Sequence, residues 1–165
     1  LWGVRGGGGV WGVGLVGAGS WMDAARRRAA SAGRREFVQF PVLKNMRELV
    51  PYYAFAKCFV LPSWREPWGL VTDEAMCCGL PVILSDCCGC TDDLLVNGWN
   101  GYGFDPSQEG GLTKCLLSMD QLDESERRQM SVNSRGIISN YSPRFWAAEV
   151  ATIVGNTPIA ISTRG

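Results

Sequence analysis

The sequence predicts an α/β fold, a Rossmann-like parallel sheet with helices on both faces. Two observations carry that expectation. From Val13 onward, short apolar runs alternate with stretches of helical composition, and Gly or Pro sits at most junctions between them. The chain has 165 residues, 46% apolar and 19% charged, which suits a single core of ordinary composition.

Taken in order, positions 1–11 read as a flexible or truncated edge, because Gly6 to Gly9 form an unbroken run that both helix and strand disfavour. Val13 to Val16 is a short strand that ends in the turn Gly17-Ala18-Gly19. Ser20 offers a cap to an Ala- and Arg-rich helix that Gly33 ends. Phe37 to Phe40 reads as strand. Asn45 and Glu48 have capping-box spacing at the head of a helix reaching Ala56, with Pro51 as a kink or restart. Cys58 to Leu61 is a buried strand stopped by Pro62, and a loop then leads into a helix that Gly79 terminates. Pro81 to Leu84 and Tyr102 to Phe104 are further strands, with turn signals at Asn97-Gly98 and Asn100-Gly101 between them. The remainder is helical: Gly111 to Met119, Asp123 to Ser139, and a last helix with Ser142 as cap and Pro143 at its first position. The expected organisation is an irregular edge over 1–11, one domain over 12–155 and a tail over 156–165.

Composition excludes several kinds of chemistry. Sixteen basic residues balance sixteen acidic ones, which removes the charge signature of a nucleic-acid binder. The local patch of Arg26 to Arg28 with Arg34 and Arg35 reads as a solvated helix face. With no His in the chain, Ser-His-Asp and Cys-His centres and His-ligated metals are ruled out, so acid–base work within this chain would fall to carboxylates. Seven Cys, five of them between positions 77 and 90 among apolar neighbours, read as small buried thiols of a reduced, cytoplasmic protein. Cys87 and Cys90 have C-x-x-C spacing, but a second such pair is missing, so no metal site is expected. No uncharged apolar run is long enough to span a membrane.

The informative stretch is Leu61 to Gly89, LPSWREPWGLVTDEAMCCGLPVILSDCCG. A strand ends, a loop holding Glu66 follows, and a helix carries Glu74. In an open parallel sheet, ligands bind outside the carboxyl ends of the strands, where such a loop lies. The backbone N–H groups of Trp68, Gly69, Leu70 and Val71 open the helix, and a helix amino end attracts phosphate. Two carboxylates there suit a hydroxyl-rich ligand, since each accepts from vicinal hydroxyls. Spacing alone leaves open a pair of solvated helix-terminal acids.

The order Pro62-Ser63, Glu66-Pro67-Trp68-Gly69-Leu70, Glu74-Ala75-Met76, Gly79, Pro81-Val82 resembles the E-x7-E signature of the retaining family 4 glycosyltransferases, which have the GT-B fold. The likeness continues through Gly89, Asp92 to Leu95 and Asn97 to Gly101, includes Tyr52-Tyr53 and Ala56, and covers roughly 13–150. It implies a glycosyltransferase that moves a sugar from a nucleotide-diphosphate sugar to an acceptor with retention and without a metal or other cofactor. This chain would be the donor-binding domain, with an acceptor-binding N-terminal domain, and any peripheral membrane association through it, lying elsewhere. On that resemblance Glu66 is the catalytic carboxylate beside the donor sugar, and Glu74 accepts from the nucleotide ribose. The backbone at Trp68, Gly69, Leu70 and Val71 meets sugar and diphosphate, Leu43 lies by the base, and Gly17 and Gly19 line the cleft.

Two departures stand out. The family's Arg and Lys upstream of the Gly17 turn have no counterpart in the Gly-rich start, where Arg5 lacks the matching context. Pro41 replaces the Gly usual after the Phe37 strand. Competing readings are a non-catalytic nucleotide-sugar-binding fragment or scaffold, and an NAD-binding domain suggested by Gly12-x-Gly14-x-x-Gly17 with Glu36 downstream. The context disfavours the latter, because that fingerprint should follow a strand and open a helix, whereas here its own apolar residues look like the strand. Trp64 and Trp68 flank Glu66 and read as rim packing or as sugar-stacking rings.

Overall fold

The computed structural model describes residues 2–5, 11–17, 22–41, 46–142, 147 and 150–152. Its strands are β1 (Trp2–Arg5), β2 (Trp11–Gly14), β3 (Val38–Gln39), β4 (Phe59–Leu61), β5 (Val82–Ser85) and β6 (Gly101–Phe104). Its helices are α1 (Met22–Ser31), α2 (Met46–Phe55), α3 (Leu70–Cys77), α4 (Thr91–Leu94), α5 (Gly111–Gln121) and α6 (Glu124–Ser139). The strands form one sheet in the order β3-β2-β1-β4-β5-β6. That is the strand order of a doubly wound nucleotide-binding sheet.

Pairing is parallel for β2–β3, β4–β5 and β5–β6, while β1 runs antiparallel to both β2 and β4. The other strands therefore all point one way, and their carboxyl ends share one edge. The reversal of β1 has a plain cause. Only residues 6–10 separate it from β2, and a parallel return needs a crossover of about a dozen residues or more, whereas a hairpin needs only a few.

Side chains along β4 and β5 alternate between two cores. Phe59, Val82 and Leu84 pack with Leu49 and Tyr53 of α2, Ala75 and Met76 of α3, and Leu94 of α4. Val60 and Ile83 point the other way and pack with Phe104, with Cys115 and Met119 of α5, and with Met130 of α6. All four residues of β5 are buried, and the continuous apolar run of Val82 to Leu84 suits a strand covered on both faces. Helix α6 contributes Met130 to one core and Ile138 to the other, so it ties the two faces together.

The α/β class with helices on both faces is as the alternation predicts. Four local expectations are corrected. Positions 1–11 do not form an irregular edge throughout, because Trp2–Arg5 is a strand in register with Trp11–Gly14. The strand expected at Val13 to Val16 lies two residues earlier, at Trp11–Gly14, and the Leu15 N–H extends its pairing to the Gln39 carbonyl at 2.8 Å. The Phe37 to Phe40 strand shrinks to Val38–Gln39 because a 3-10 turn occupies Arg35–Phe37. The short α4 was not expected, since four residues carry no readable period. It is held by Thr91, whose hydroxyl donates to the Ser85 carbonyl at 2.8 Å. The caps expected at Ser20 and Asn45, and Pro143 at the first position of the last helix, lie outside the described residues. The arginine patch on α1 is a solvated face: Arg26 pairs with Asp23 at 3.4 Å and covers the Phe40 ring, and α1 buries none of its residues. Among the described residues, no helix is long and apolar enough to cross a membrane.

Helix α6 starts on a complete capping box. The Glu126 N–H donates to the Asp123 carboxylate and the Asp123 N–H donates to the Glu126 carboxylate, both at 2.8 Å. Asp123→Ala removes half of that exchange and is expected to lower stability by about 1 kcal/mol in a denaturant melt. An unchanged midpoint would show that α6 is fixed by its core contacts alone.

Candidate functional site

Past the end of β4, Pro62 stops the strand and the chain runs to Gly69 before α3 begins. This loop is zipped to the segment that follows β5. The Glu66 N–H donates to the Cys87 carbonyl at 3.3 Å, the Gly89 N–H to the Glu66 carbonyl at 2.9 Å, and the Cys90 N–H to the Trp68 carbonyl at 3.2 Å. Glu66 and Cys88 form an isolated parallel bridge, which continues the β4–β5 pairing beyond the strands. The two loops therefore sit together at the carboxyl edge of the sheet.

Two glycines make this approach feasible. The Pro67 carbonyl occupies the place where a Cβ on Gly89 would stand. Gly69, the residue before α3, has φ +103°, and a Cβ there would come within 2.8 Å of Leu61 Cδ2. The same imagined Cβ would be 3.4 Å from Glu66 Cγ, so the half-buried Glu66 side chain lies against the first turn of α3. No side chain caps that helix. Its first N–H groups, at Leu70 and Val71, are therefore available to an acceptor from outside. Leu70 and Val71 themselves are exposed.

Glu74 lies four residues past Leu70, about 6 Å along the axis of α3. Because Glu66 stands before the helix, its separation from Glu74 is set by the loop and not by eight residues of helical rise. One oxygen of Glu74 is already engaged: the Tyr53 hydroxyl donates to Oε2 at 3.0 Å, and it also lies 3.4 Å from the Val71 carbonyl. Tyr53 is buried on α2, with its ring edge-on to Phe59 at 6.3 Å. Burial first, and the Glu74 charge and hydrogen bond second, push its phenol well above the usual range, so it stays a donor. The neighbouring acid is held in the same way. Trp68 Nε1 donates to both Asp73 oxygens at 3.2 Å, and its ring leans on Tyr141.

The cysteines near the site act as packing. Cys88 and Cys90 are buried, and burial pushes both thiols up. For Cys88 the Glu66 charge adds to the rise, while for Cys90 the Thr72 contact opposes it. Among the described residues, no group of three or more Cys, Asp or Glu side chains converges to hold a metal ion.

Of the residues expected at the site, Glu66, Trp68, Gly69, Leu70 and Val71 stand at the amino end of α3, and Glu74 lies about one turn further along it. Gly17 is exposed and follows the carboxyl end of β2, hence lies on the same edge of the sheet. Gly19 and Leu43 lie outside the described residues. The Trp68 indole is committed to Asp73 and Tyr141, which makes it rim packing, whereas Trp64 is 69% exposed. Sequence reasoning missed the partner of Glu74. Tyr53 is twenty-one positions away on another helix, and only a tertiary contact reveals it. It also missed the clamp from Cys87 to Cys90. Two cavities lie elsewhere. One, about 380 Å³, is lined by Lys57, Arg127, Arg128 and Arg135 near the carboxyl end of α3, and the other, about 330 Å³, by Arg26, Arg27 and Arg35 beside α1. Neither includes Glu66 or Glu74.

Comparison with known proteins bears on this edge directly. The profile for glycosyl transferases group 1 matches residues 10–136. A D-inositol 3-phosphate glycosyltransferase from Frankia alni is 34% identical over 140 residues, 78% of this chain and 34% of that protein. Sucrose synthase 2 from Zea mays is 30% identical over 113 residues, 66% of this chain and 14% of its own length. Among solved structures, a sucrose-phosphate synthase from Thermosynechococcus elongatus superposes with a TM-score of 0.71 at 26% identity, over 86% of this chain and 37% of that one. Anabaena HepE in complex with UDP gives 0.73 at 21% identity, over 88% and 41%, a likeness of fold. The chain thus spans about a third or less of the curated relatives it matches. A profile match across most of the length, over the very segment that builds the clamped loop and α3, establishes that this chain belongs to the glycosyl transferases group 1 family.

Proposed function

We propose that this chain is the donor-binding part of a retaining family 4 glycosyltransferase that takes its sugar from a nucleoside-diphosphate sugar. The observation that carries this reading is the clamped loop, which holds the Glu66 side chain against the uncapped amino end of α3 at the carboxyl edge of the sheet. In the proposal the leaving diphosphate lies over the free N–H groups of Leu70 and Val71, with the backbone of Trp68 and Gly69 alongside. Glu66 faces the anomeric carbon. As the bond from that carbon to the diphosphate oxygen breaks, positive charge develops on the sugar, and a fixed carboxylate beside it lowers the barrier. Glu74 accepts from the ribose hydroxyls, the Gly17 and Gly19 turn lines the cleft, and Leu43 borders the base. The HepE complexes with UDP and UDP-glucose support a nucleotide-sugar donor by likeness of fold.

The reaction needs no metal in this proposal, because the helix amino end and hydrogen bonds receive the diphosphate charge. The acceptor site belongs to a separate N-terminal domain, with any membrane surface contact made there, and the enzyme works in the cytoplasm. A second reading, a nucleotide-sugar-binding module without turnover, draws on one observation: residues 6–16 carry no Lys or Arg to neutralise a leaving diphosphate. Turnover by the full-length protein separates the two.

In the full-length protein, Glu66→Ala is expected to lower kcat by about 10²–10³-fold or more while nucleoside diphosphate affinity changes little. Near-wild-type turnover would refute the assignment. Glu74→Ala is expected to weaken donor binding by about 10- to 100-fold in calorimetry, the scale of hydrogen bonds to a charged group. An unaltered affinity would count against the ribose contact. Gly89→Ala forces a methyl group onto the Pro67 carbonyl and is expected to cost about 1–3 kcal/mol and to reduce turnover by displacing Glu66. If stability falls but kcat does not, the clamp does not position the carboxylate.

A further inference from the structure

Helix α3 carries two adjacent acids, and each is met by a donor from an aromatic side chain: Asp73 by the Trp68 indole and Glu74 by the Tyr53 hydroxyl. The two contacts differ in what they leave free. The indole meets both oxygens of Asp73, whereas Tyr53 touches only Oε2 of Glu74. No described residue occupies Oε1, and the Glu74 side chain is only half-buried. Glu74 therefore presents one anchored and one open oxygen.

We propose that Tyr53 is a positioning residue for Glu74: its buried hydroxyl anchors Oε2 and so fixes the free Oε1 as the acceptor for the ribose hydroxyls of the donor nucleotide. The inference rests on the role given to Glu74 above and goes beyond it by naming what aims the carboxylate.

Three features support it. A free Glu has three rotatable side-chain bonds, and a ligand that must first order them loses affinity, so a carboxylate already fixed binds better than a loose one. Tyr53 is itself immobile, because it is 3% exposed in the core of α2, β4 and α3 and packs against Phe59. Its hydroxyl has a single hydrogen. The carboxylate at 3.0 Å is a better acceptor for it than the Val71 carbonyl at 3.4 Å, already the acceptor of its own helix bond. The donor side cannot simply be omitted either, since a phenol oxygen buried beside a carboxylate repels it unless its hydrogen points there.

The test is calorimetry on the full-length protein with whichever of UDP, GDP and ADP binds most tightly, and with its 2′,3′-dideoxy form. Wild type, Tyr53→Phe, Glu74→Gln and the double variant are compared. Tyr53→Phe keeps the ring and its packing. It is expected to weaken the ribose-containing ligand by about tenfold and the dideoxy ligand by less than about twofold, because only hydroxyl contacts run through Glu74. With the donor sugar attached, KM should rise while kcat is preserved. In the double variant the two losses should not add. Equal weakening of both ligands, or no weakening, overturns the proposal. If Glu74→Gln itself binds the two ligands with wild-type discrimination, or no nucleotide binds, the ribose role of Glu74 fails first and the proposal with it. If Glu74→Gln loses discrimination and Tyr53→Phe does not, only the role of Tyr53 fails. Should Tyr53→Phe not fold, 3-fluorotyrosine at position 53, a stronger donor of the same shape, must shift the discrimination between the two ligands, and no shift overturns the proposal.

Discussion

The site depends on the pairing of two loops beyond the ends of two neighbouring strands. β4 and β5 are parallel, β5 is fully buried and β4 is buried but for Leu61, and their hydrogen-bond ladder does not stop at Leu61 and Leu84 but resumes at Glu66 and Cys88. Parallel strands cannot be joined by a tight turn, so each must leave the edge through its own loop. Here the two departing loops are bonded to one another, and the helix that one of them feeds is thereby anchored to the other. Without that pairing, Glu66 would ride on an eight-residue loop whose conformational freedom would defeat any fixed geometry. With it, the backbone at Glu66 is tied to the sheet.

The same constraint explains why the segment is so restricted in residue type. The Glu66 loop and the Cys87 to Cys90 segment approach closely enough that the Pro67 carbonyl takes the place of a side chain on Gly89. The left-handed turn at Gly69 then swings α3 so that its amino end faces outward from the edge, while Leu61 closes off any room for a Cβ. On the far side, α3 is locked by Ala75 and Met76 in the core and by two aromatic donors on its acids. Loop, helix and second loop thus form one rigid unit whose exposed part is a row of unpaired N–H groups flanked by carboxylates. Such a surface is selective by chemistry: phosphate oxygens suit the N–H groups and sugar hydroxyls suit the acids.

Much of this could be read from the chain itself, for reasons that differ between elements. β5 was legible because three consecutive apolar positions between Pro81 and a turn leave few alternatives. α3 was legible because Gly69 and Gly79 mark both of its ends, and both prove to have positive φ. Glu66 and Glu74 stood out through their setting among Pro, Gly and apolar residues in a familiar order. What escaped was tertiary. Tyr53 reads as one more aromatic of an amphipathic helix, and nothing local tells that its hydroxyl ends on Glu74. The β1 strand escaped because its identity comes from partners on either side and not from its four residues, two of which have weak strand character next to a glycine run. The boundary of β2 slipped for a related reason: Gly12 and Gly14 look unlike strand until β1 and β3 supply their hydrogen bonds.

Charge balance bears on how such a surface recognises an anion. A chain with sixteen charges of each sign has no net charge to draw a nucleotide in from a distance, and residues 6–16 carry no Lys or Arg. On the proposed function, part of the attraction comes from oriented dipoles at short range, chiefly the first turn of α3, whose effect fades within a turn of the helix. Short-range dipoles reward a ligand only when it is seated correctly, so recognition and placement become one event. That makes the anchoring of each acceptor matter more than its charge. A carboxylate near a diphosphate repels it, so in the proposed donor complex Glu66 and Glu74 are tolerable neighbours of the α3 N–H groups only if each meets a hydroxyl or a developing cation instead. In the described structure the backbone at Glu66 is fixed by its bridge to Cys88, and the Glu74 carboxylate is met by the Tyr53 hydroxyl.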